Sequence, residues 1–332
     1  MKTYSLSLVF VVVLAFLASS CLSPTLRPEN QKQTLLYATH GGQKLYLDKL
    51  VDTTVAVTGK RPVIIWMFGG AWVTGQRDEK ASSHMFDYLT AQGYVVIAID
   101  YRLAIRDAKA RQAADTKAST SVDAQTARSL YFLAINEAVE DLFAATRFTL
   151  AHAEEWNIDA SQVVIGGGSA GAVNAVVAEY QVCTSSPLFR KYLPADFNYA
   201  GVISMAGALW LPGDNTPAAW TRKPCPFLFF HGSKDQVVTY NEAHGQGVAA
   251  YGPVSLYKQF AAAGYPVWFY DLPGADHVVS MAPMYDNLQE VSSFMEKFVR
   301  DKQPLTIHTV EESKTPKNFA NLIKLYGKLL IE

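Results

Sequence analysis

The chain has 332 residues, 49% of them hydrophobic and 18% charged, which supplies a large core and excludes a disordered or fibrous chain. Its formal charge of −1 offers no basic field for nucleic acid, so that class of partner is excluded too. One domain with short appendages is the expectation.

The opening MKTYSLSLVFVVVLAFLASSC joins a short basic start, an apolar run and small residues before Cys21, which is the layout of an export signal over residues 1–20. LASSC also resembles a bacterial lipoprotein processing site. That reading predicts a lipid on Cys21 and membrane attachment through it alone. Ala18 stands where a leucine is usual, so periplasmic or free secretion with cleavage nearby is the alternative. No later segment has about 18 uninterrupted apolar residues, the length needed to cross a bilayer. Residues 22–33 read as a linker.

Next, TLLYATHGGQKLYLDKLV alternates apolar and polar residues around His40, Gly41 and Gly42, which predicts an antiparallel hairpin. Residues 62–68 are apolar on both parities, as in a strand covered on both faces. A helix through Met85 and Leu89 stops at Gly93, and a strand follows over 94–100. Ile135, Ala138, Val139, Leu142 and Phe143 share one face of a helix running to about Trp156. Further strands are predicted at 162–165, 201–205, 226–230 and 266–270, with helices near 256–263 and 283–300.

This alternation predicts an α/β fold: a mostly parallel, doubly wound sheet with helices on both faces and ligands at the carboxyl ends of its strands. The domain spans residues 34–302. It carries a long polar insertion near 105–127, of a kind that often flanks a site. Residues 303–332 form a charged tail ending in an amphipathic helix.

The segment VVIGGGSAGA supports two chemistries. Residues 166–171 fit the dinucleotide fingerprint G-x-G-x-x-G, and residues 167–171 fit the nucleophile elbow G-x-S-x-G. A dinucleotide site needs an acid at a strand end about 20 residues on, and Asp196 in PLFRKYLPADF follows a proline instead. The elbow places Ser169 on a sharp strand-to-helix turn that demands small neighbours, which Gly167, Gly168, Ala170 and Gly171 provide.

A serine nucleophile needs a base and an orienting acid, in the order Ser, Asp or Glu, His for this architecture. Asp235 in HGSKD and His277 in GADH each follow a predicted parallel strand. Asp271 and Asp276 compete for the acid role, and His231 reads as stabilising its own turn. WMFGGAWVTG has the glycine spacing of a phosphate loop, but Gln76 and Arg77 stand where lysine and a hydroxyl belong. It suits backbone donors to an oxyanion instead, with Gly70 and Ala71 supplying two and Ala170 the third. The histidines lack metal-site spacing, so no metal is expected.

These residues together resemble the α/β-hydrolases of the carboxylesterase and hormone-sensitive-lipase-like group. The matching segments are FGGAW, DYRLA, GGGSAGA, HGSKD and GADH, spread over nearly the whole domain. The resemblance implies hydrolysis of small-molecule or glycan-linked carboxylic esters, short acyl esters among them, through an acyl-serine and without a cofactor. Phe68 departs from the group, which usually has histidine there. Trp72, Trp210, Trp220 and the insertion are expected to form the pocket, unless the tryptophans belong to the core. Cys183 and Cys225 come near one another in a doubly wound layout, so a bridge is geometrically open to them. Two rival readings share the same serine: a prolyl-oligopeptidase-type peptidase, which generally carries an extra β-domain, and a non-catalytic binding protein.

Overall fold

The computed structural model describes residues 32–114, 124–312 and 316–331. The leader, Cys21 and most of the linker lie outside the described residues. Twelve strands are present among them: β1 (Lys32–His40), β2 (Gln43–Leu50), β3 (Arg61–Met67), β4 (Val95–Ile99), β5 (Ile158–Gly168), β6 (Gly201–Met205), β7 (Leu209–Pro212), β8 (Phe227–Gly232), β9 (Glu242–Gly245), β10 (Val248–Tyr251), β11 (Val267–Leu272) and β12 (Thr306–Val310). Nine of them form one sheet in the order β1-β2-β4-β3-β5-β6-β8-β11-β12, and β7-β10-β9 form a small antiparallel sheet. In the large sheet β1 and β2 pair antiparallel, as do β2 and β4, and every later pairing is parallel.

The hairpin turns at Gly41 and Gly42, both at positive φ, the geometry that matches a two-residue connection to strand twist. Along β3 the side chains alternate between two cores. Val63, Ile65 and Met67 face a layer containing Val139 and Val176, while Ile64 and Trp66 face one containing Met85 and Phe294. Helices therefore cover both faces. They are α1 (Lys80–Ala91), α2 (Ala104–Ala114), α3 (Ala124–Ala151), α4 (Ala170–Cys183), α5 (Pro187–Tyr192), α6 (Pro253–Ala262), α7 (Pro283–Asp286), α8 (Leu288–Phe294) and α9 (Phe319–Ile331). No helix of the described residues is long and apolar enough to cross a membrane.

Three features differ from the sequence expectation. The 105–127 stretch is helical at both described ends, as α2 and the start of α3, and α3 stops at Ala151 before a run of turns. The helix expected at 283–300 breaks at Asn287 and finishes in a wider π turn over Met295–Arg300. The tail contributes β12 to the sheet edge before α9 packs against α1.

Cys183 and Cys225 are free in the structure, contrary to the bridge considered for them. Both instead serve the buried carboxyl of Glu179: the Cys183 thiol donates to Oε1 at 3.3 Å and the Cys225 amide donates to it at 2.8 Å. A donor is needed there because an unpartnered buried carboxyl is costly.

Candidate active site

The turn from β5 into α4 puts Ser169 at φ 52° and ψ −120°, a strained conformation for a residue with a side chain. The strain is held by packing on every side. A Cβ on Gly171 would lie 2.2 Å from the Met67 carbonyl oxygen, so helix and central strand approach as closely as only glycine permits. The Ser169 amide donates to the Met205 carbonyl at 2.9 Å and fixes the turn to β6.

Asp235 and His277 arrive on the loops after β8 and β11. His277 Nδ1 lies 2.8 Å from Asp235 Oδ2, and His277 Nε2 lies 2.8 Å from Ser169 Oγ. An ionised carboxylate only accepts, so Nδ1 carries a proton towards Asp235 and Nε2 faces the serine hydroxyl, ready to accept its proton. The structure thus joins the three residues into one hydrogen-bonded chain.

The side chain of Asp235 is enclosed. Its Oδ1 accepts from the Val237 and Val238 amides at 2.8 and 2.9 Å, and its Oδ2 also lies 3.2 Å from His231 Nε2. Burial alone would lift the pKa, but hydrogen bonds from His231 and His277, with attraction to both rings, hold this carboxyl well below the usual carboxylate range. It therefore stays charged and able to orient His277. The other acids are engaged elsewhere. Asp276 caps the turn that carries His277 by accepting from the Val278 amide at 2.8 Å, and Asp271 accepts from the Tyr240 hydroxyl at 2.8 Å.

Across from the serine, the loop after β3 is wound tightly. Gly70 has φ 110°, Ala71 φ 53° and Trp72 φ 57°, and the Gly70 carbonyl accepts from the Val73 and Thr74 amides. Gly70 is required, since a Cβ there would sit 2.2 Å from the Thr74 carbonyl oxygen. The neighbouring Gly69 abuts the Ser169 side chain: a Cβ placed on it would lie 3.4 Å from that of the serine. Gly70 and Ala71 line the same cavity as Ser169 and His277, and Ala170 follows the serine directly as the first residue of α4. Backbone amides at such positions are suited to a negative oxygen developing beside Ser169.

This cavity measures about 660 Å³. Its walls correct the sequence expectation: none of the three tryptophans, nor any described residue of 105–127, lines it. Trp72 is buried and donates to Asn174 Oδ1 at 3.0 Å while packing edge-on to Tyr131 and near Trp210. Trp220 packs against Tyr180, Phe227 and Phe260. Large aromatic rings gain most from burial, and Trp72 sits in the hydrophobic core with the partly buried Trp210 and Trp220 packed against it. The wall residues that sequence reasoning missed include Glu79, Val237, Met281, Met284 and Phe319. Met281 and Met284 follow His277 closely in the chain, which was a usable signal; Phe319 enters from α9 and had none. Among the described residues, no group of three or more His, Cys, Asp and Glu side chains could hold a metal ion.

Comparison with known proteins gives a consistent picture. The BD-FAE family model matches residues 52–132. Esterase LipC of Mycobacterium tuberculosis is 23% identical over 253 residues, which is 66% of this chain and 53% of that protein. The match therefore spans about half the length of that curated relative. Among solved structures, the thermophilic esterase Est2 of Thermogutta terrifontis superposes with a TM-score of 0.53 at 18% identity, covering 83% of this chain and 94% of that one. Its propionate-bound form also gives 0.53 at 18% identity, with 82% and 97% covered. With its sheet order, the turn between β5 and α4 and these likenesses, the chain has the α/β-hydrolase fold and is similar to carboxylesterase-type proteins of that fold.

Proposed function

We propose that the chain is a serine esterase acting on carboxylic esters of short acyl groups. The observation that carries this reading is the hydrogen-bonded chain Ser169–His277–Asp235, with both links at 2.8 Å, opening on a cavity that also holds the Gly70–Ala71 loop. Ser169 Oγ attacks the ester carbonyl as its proton passes to His277 Nε2. Asp235 orients the ring and stabilises the imidazolium. The amides of Gly70, Ala71 and Ala170 receive the carbonyl oxygen as it becomes negative. His277 then returns the proton to the departing alcohol, leaving an acyl-serine. Water, activated by the same histidine, releases the acid. Propionate bound to the Thermogutta esterase supports a short acyl group for a chain of this fold.

Incubation with a fluorophosphonate followed by peptide mass spectrometry is expected to place the adduct on Ser169. Ser169→Ala should lose the adduct and nearly all turnover of p-nitrophenyl acetate and butyrate. A folded protein that forms no adduct and turns over no ester of any chain length would overturn the reading.

A further inference from the structure

The cavity above Ser169 is mostly apolar, with Val73, Val237, Met281, Met284 and Phe319 in its wall. Among the described residues that line it, Glu79 and His277 are the ionisable ones, and His277 belongs to the catalytic chain. Glu79 precedes α1 at the position where an acid commonly caps a helix, yet its side chain makes no capping bond. One carboxyl oxygen, Oε1, accepts from Ser82 Oγ at 3.2 Å. The two phenols near it are committed elsewhere: Tyr101 donates to the Phe68 carbonyl at 2.8 Å and Tyr285 to the Ala81 carbonyl at 2.9 Å. Arg77, two residues away, pairs with Asp48 and Asp100. The residue is half-buried, in the wall of the cavity that holds Ser169. Among the described residues, neither helix capping nor an ion pair accounts for this carboxyl.

We propose that Glu79 is a specificity residue of the Ser169 site, binding a hydroxyl carried on the acyl or alcohol part of the ester. The proposal rests on the esterase reading and adds to it a substrate class, hydroxylated esters. Burial pushes the Glu79 carboxyl up to about 7, only partly offset by the Ser82 hydrogen bond, so near neutral pH a large share of it carries a proton. A neutral acid both donates and accepts, which is what a substrate hydroxyl needs. An aliphatic substrate would displace water from Glu79 and return no hydrogen bond, and a polar group left unpaired in this way rejects the analogue.

The test uses isosteric pairs that exchange hydroxyl for methyl. On the acyl side these are p-nitrophenyl 3-hydroxybutyrate and p-nitrophenyl 3-methylbutyrate; on the alcohol side they are 2-hydroxyethyl butyrate and propyl butyrate. The readout is the ratio of kcat/KM within each pair, compared between wild type, Glu79→Gln and Glu79→Leu. A ratio taken within one protein is insensitive to a fall in folded fraction, and comparison across variants cancels the intrinsic reactivity of the esters. In at least one pair, Glu79→Leu is expected to shift the ratio away from the hydroxylated ester by about five- to tenfold, the worth of one hydrogen bond. Glu79→Gln, which still donates and accepts, should shift it less. Ratios unchanged by Glu79→Leu in both pairs would overturn the proposal while leaving the esterase reading intact. A wild-type preference for butyrylcholine over both neutral alcohol esters, lost in Glu79→Leu, would also overturn it, by showing that Glu79 works as an anion. Absence of turnover on every ester by folded wild type would instead remove the esterase reading itself.

Discussion

Phe68 stands where similar loops usually carry histidine, and the structure shows what holds the loop in its place. The Phe68 ring is buried and stacks on Tyr101, centroids 4.3 Å apart and planes at 22°. The Tyr101 hydroxyl then donates to the Phe68 carbonyl at 2.8 Å. An apolar ring thus supplies packing while a neighbouring phenol supplies the hydrogen bond, so the loop is fixed without an imidazole. Tyr101→Phe keeps the stacking but leaves that buried carbonyl without its donor, at a cost of about 1–3 kcal/mol. Because the adjacent Gly70 and Ala71 amides are proposed to act mainly on the transition state, steady-state kinetics should show kcat falling with KM little changed. Phe68→His buries an imidazole against Tyr101 and is expected to lower the melting temperature without raising kcat. A gain in both quantities would show that the loop was loosened by phenylalanine.

At the scale of elements, α9 ties the C-terminal segment to the loop that carries His277. Leu322 is buried against the sheet's outer layer, Tyr326 stacks on Tyr285 at 4.8 Å and donates to Asp286, and Phe319 reaches the cavity wall. Just before α9, the Lys317 carbonyl accepts from the Asp276 amide at 2.9 Å, and Lys317 Nζ donates to the Pro273 carbonyl at 3.0 Å. His277 therefore sits on a loop braced from the C-terminal segment. Leu322→Ala, a buried large-to-small change, is expected to cost about 2–5 kcal/mol of local packing. Esterase activity should then decline on heating before the global melt seen by circular dichroism, because the brace releases first. Loss of activity coincident with the global melt would show that α9 bears on stability alone. The helix itself was legible from its amphipathic pattern, but β12 before it was not. TIHTV alternates half-buried with exposed residues at a sheet edge, and its strand identity comes from pairing with β11, information that is not local.

For the whole molecule, the strand–helix alternation and the order Ser169, Asp235, His277 were readable because core strands and the elbow impose local residue types. The cavity wall was not, since Glu79, Met284 and Phe319 meet only after the sheet has closed and the tail has folded back. Glu179 belongs to the same class of hidden feature: a carboxyl on α4, fully buried, with Oε1 serving Cys183 and Cys225 and Oε2 without a partner. Burial raises its pKa to about 7, against the opposing hydrogen bonds from the Cys225 amide and the thiols. A pKa higher in the folded than in the unfolded chain means that folding favours the protonated form. The resulting stability is fully present below about 4.5 and is lost as pH rises through about 7, a change on the order of 3 kcal/mol. Glu179→Gln keeps an acceptor for the cysteine donors and carries no titrating proton. Chemical denaturation of both proteins from pH 5 to pH 8 should therefore show the variant gaining on wild type as pH rises. Other titrating groups affect both proteins alike and cancel in the difference. Parallel curves over that range would mean that Glu179 is already ionised in the folded protein at pH 5, so that burial does not raise its pKa.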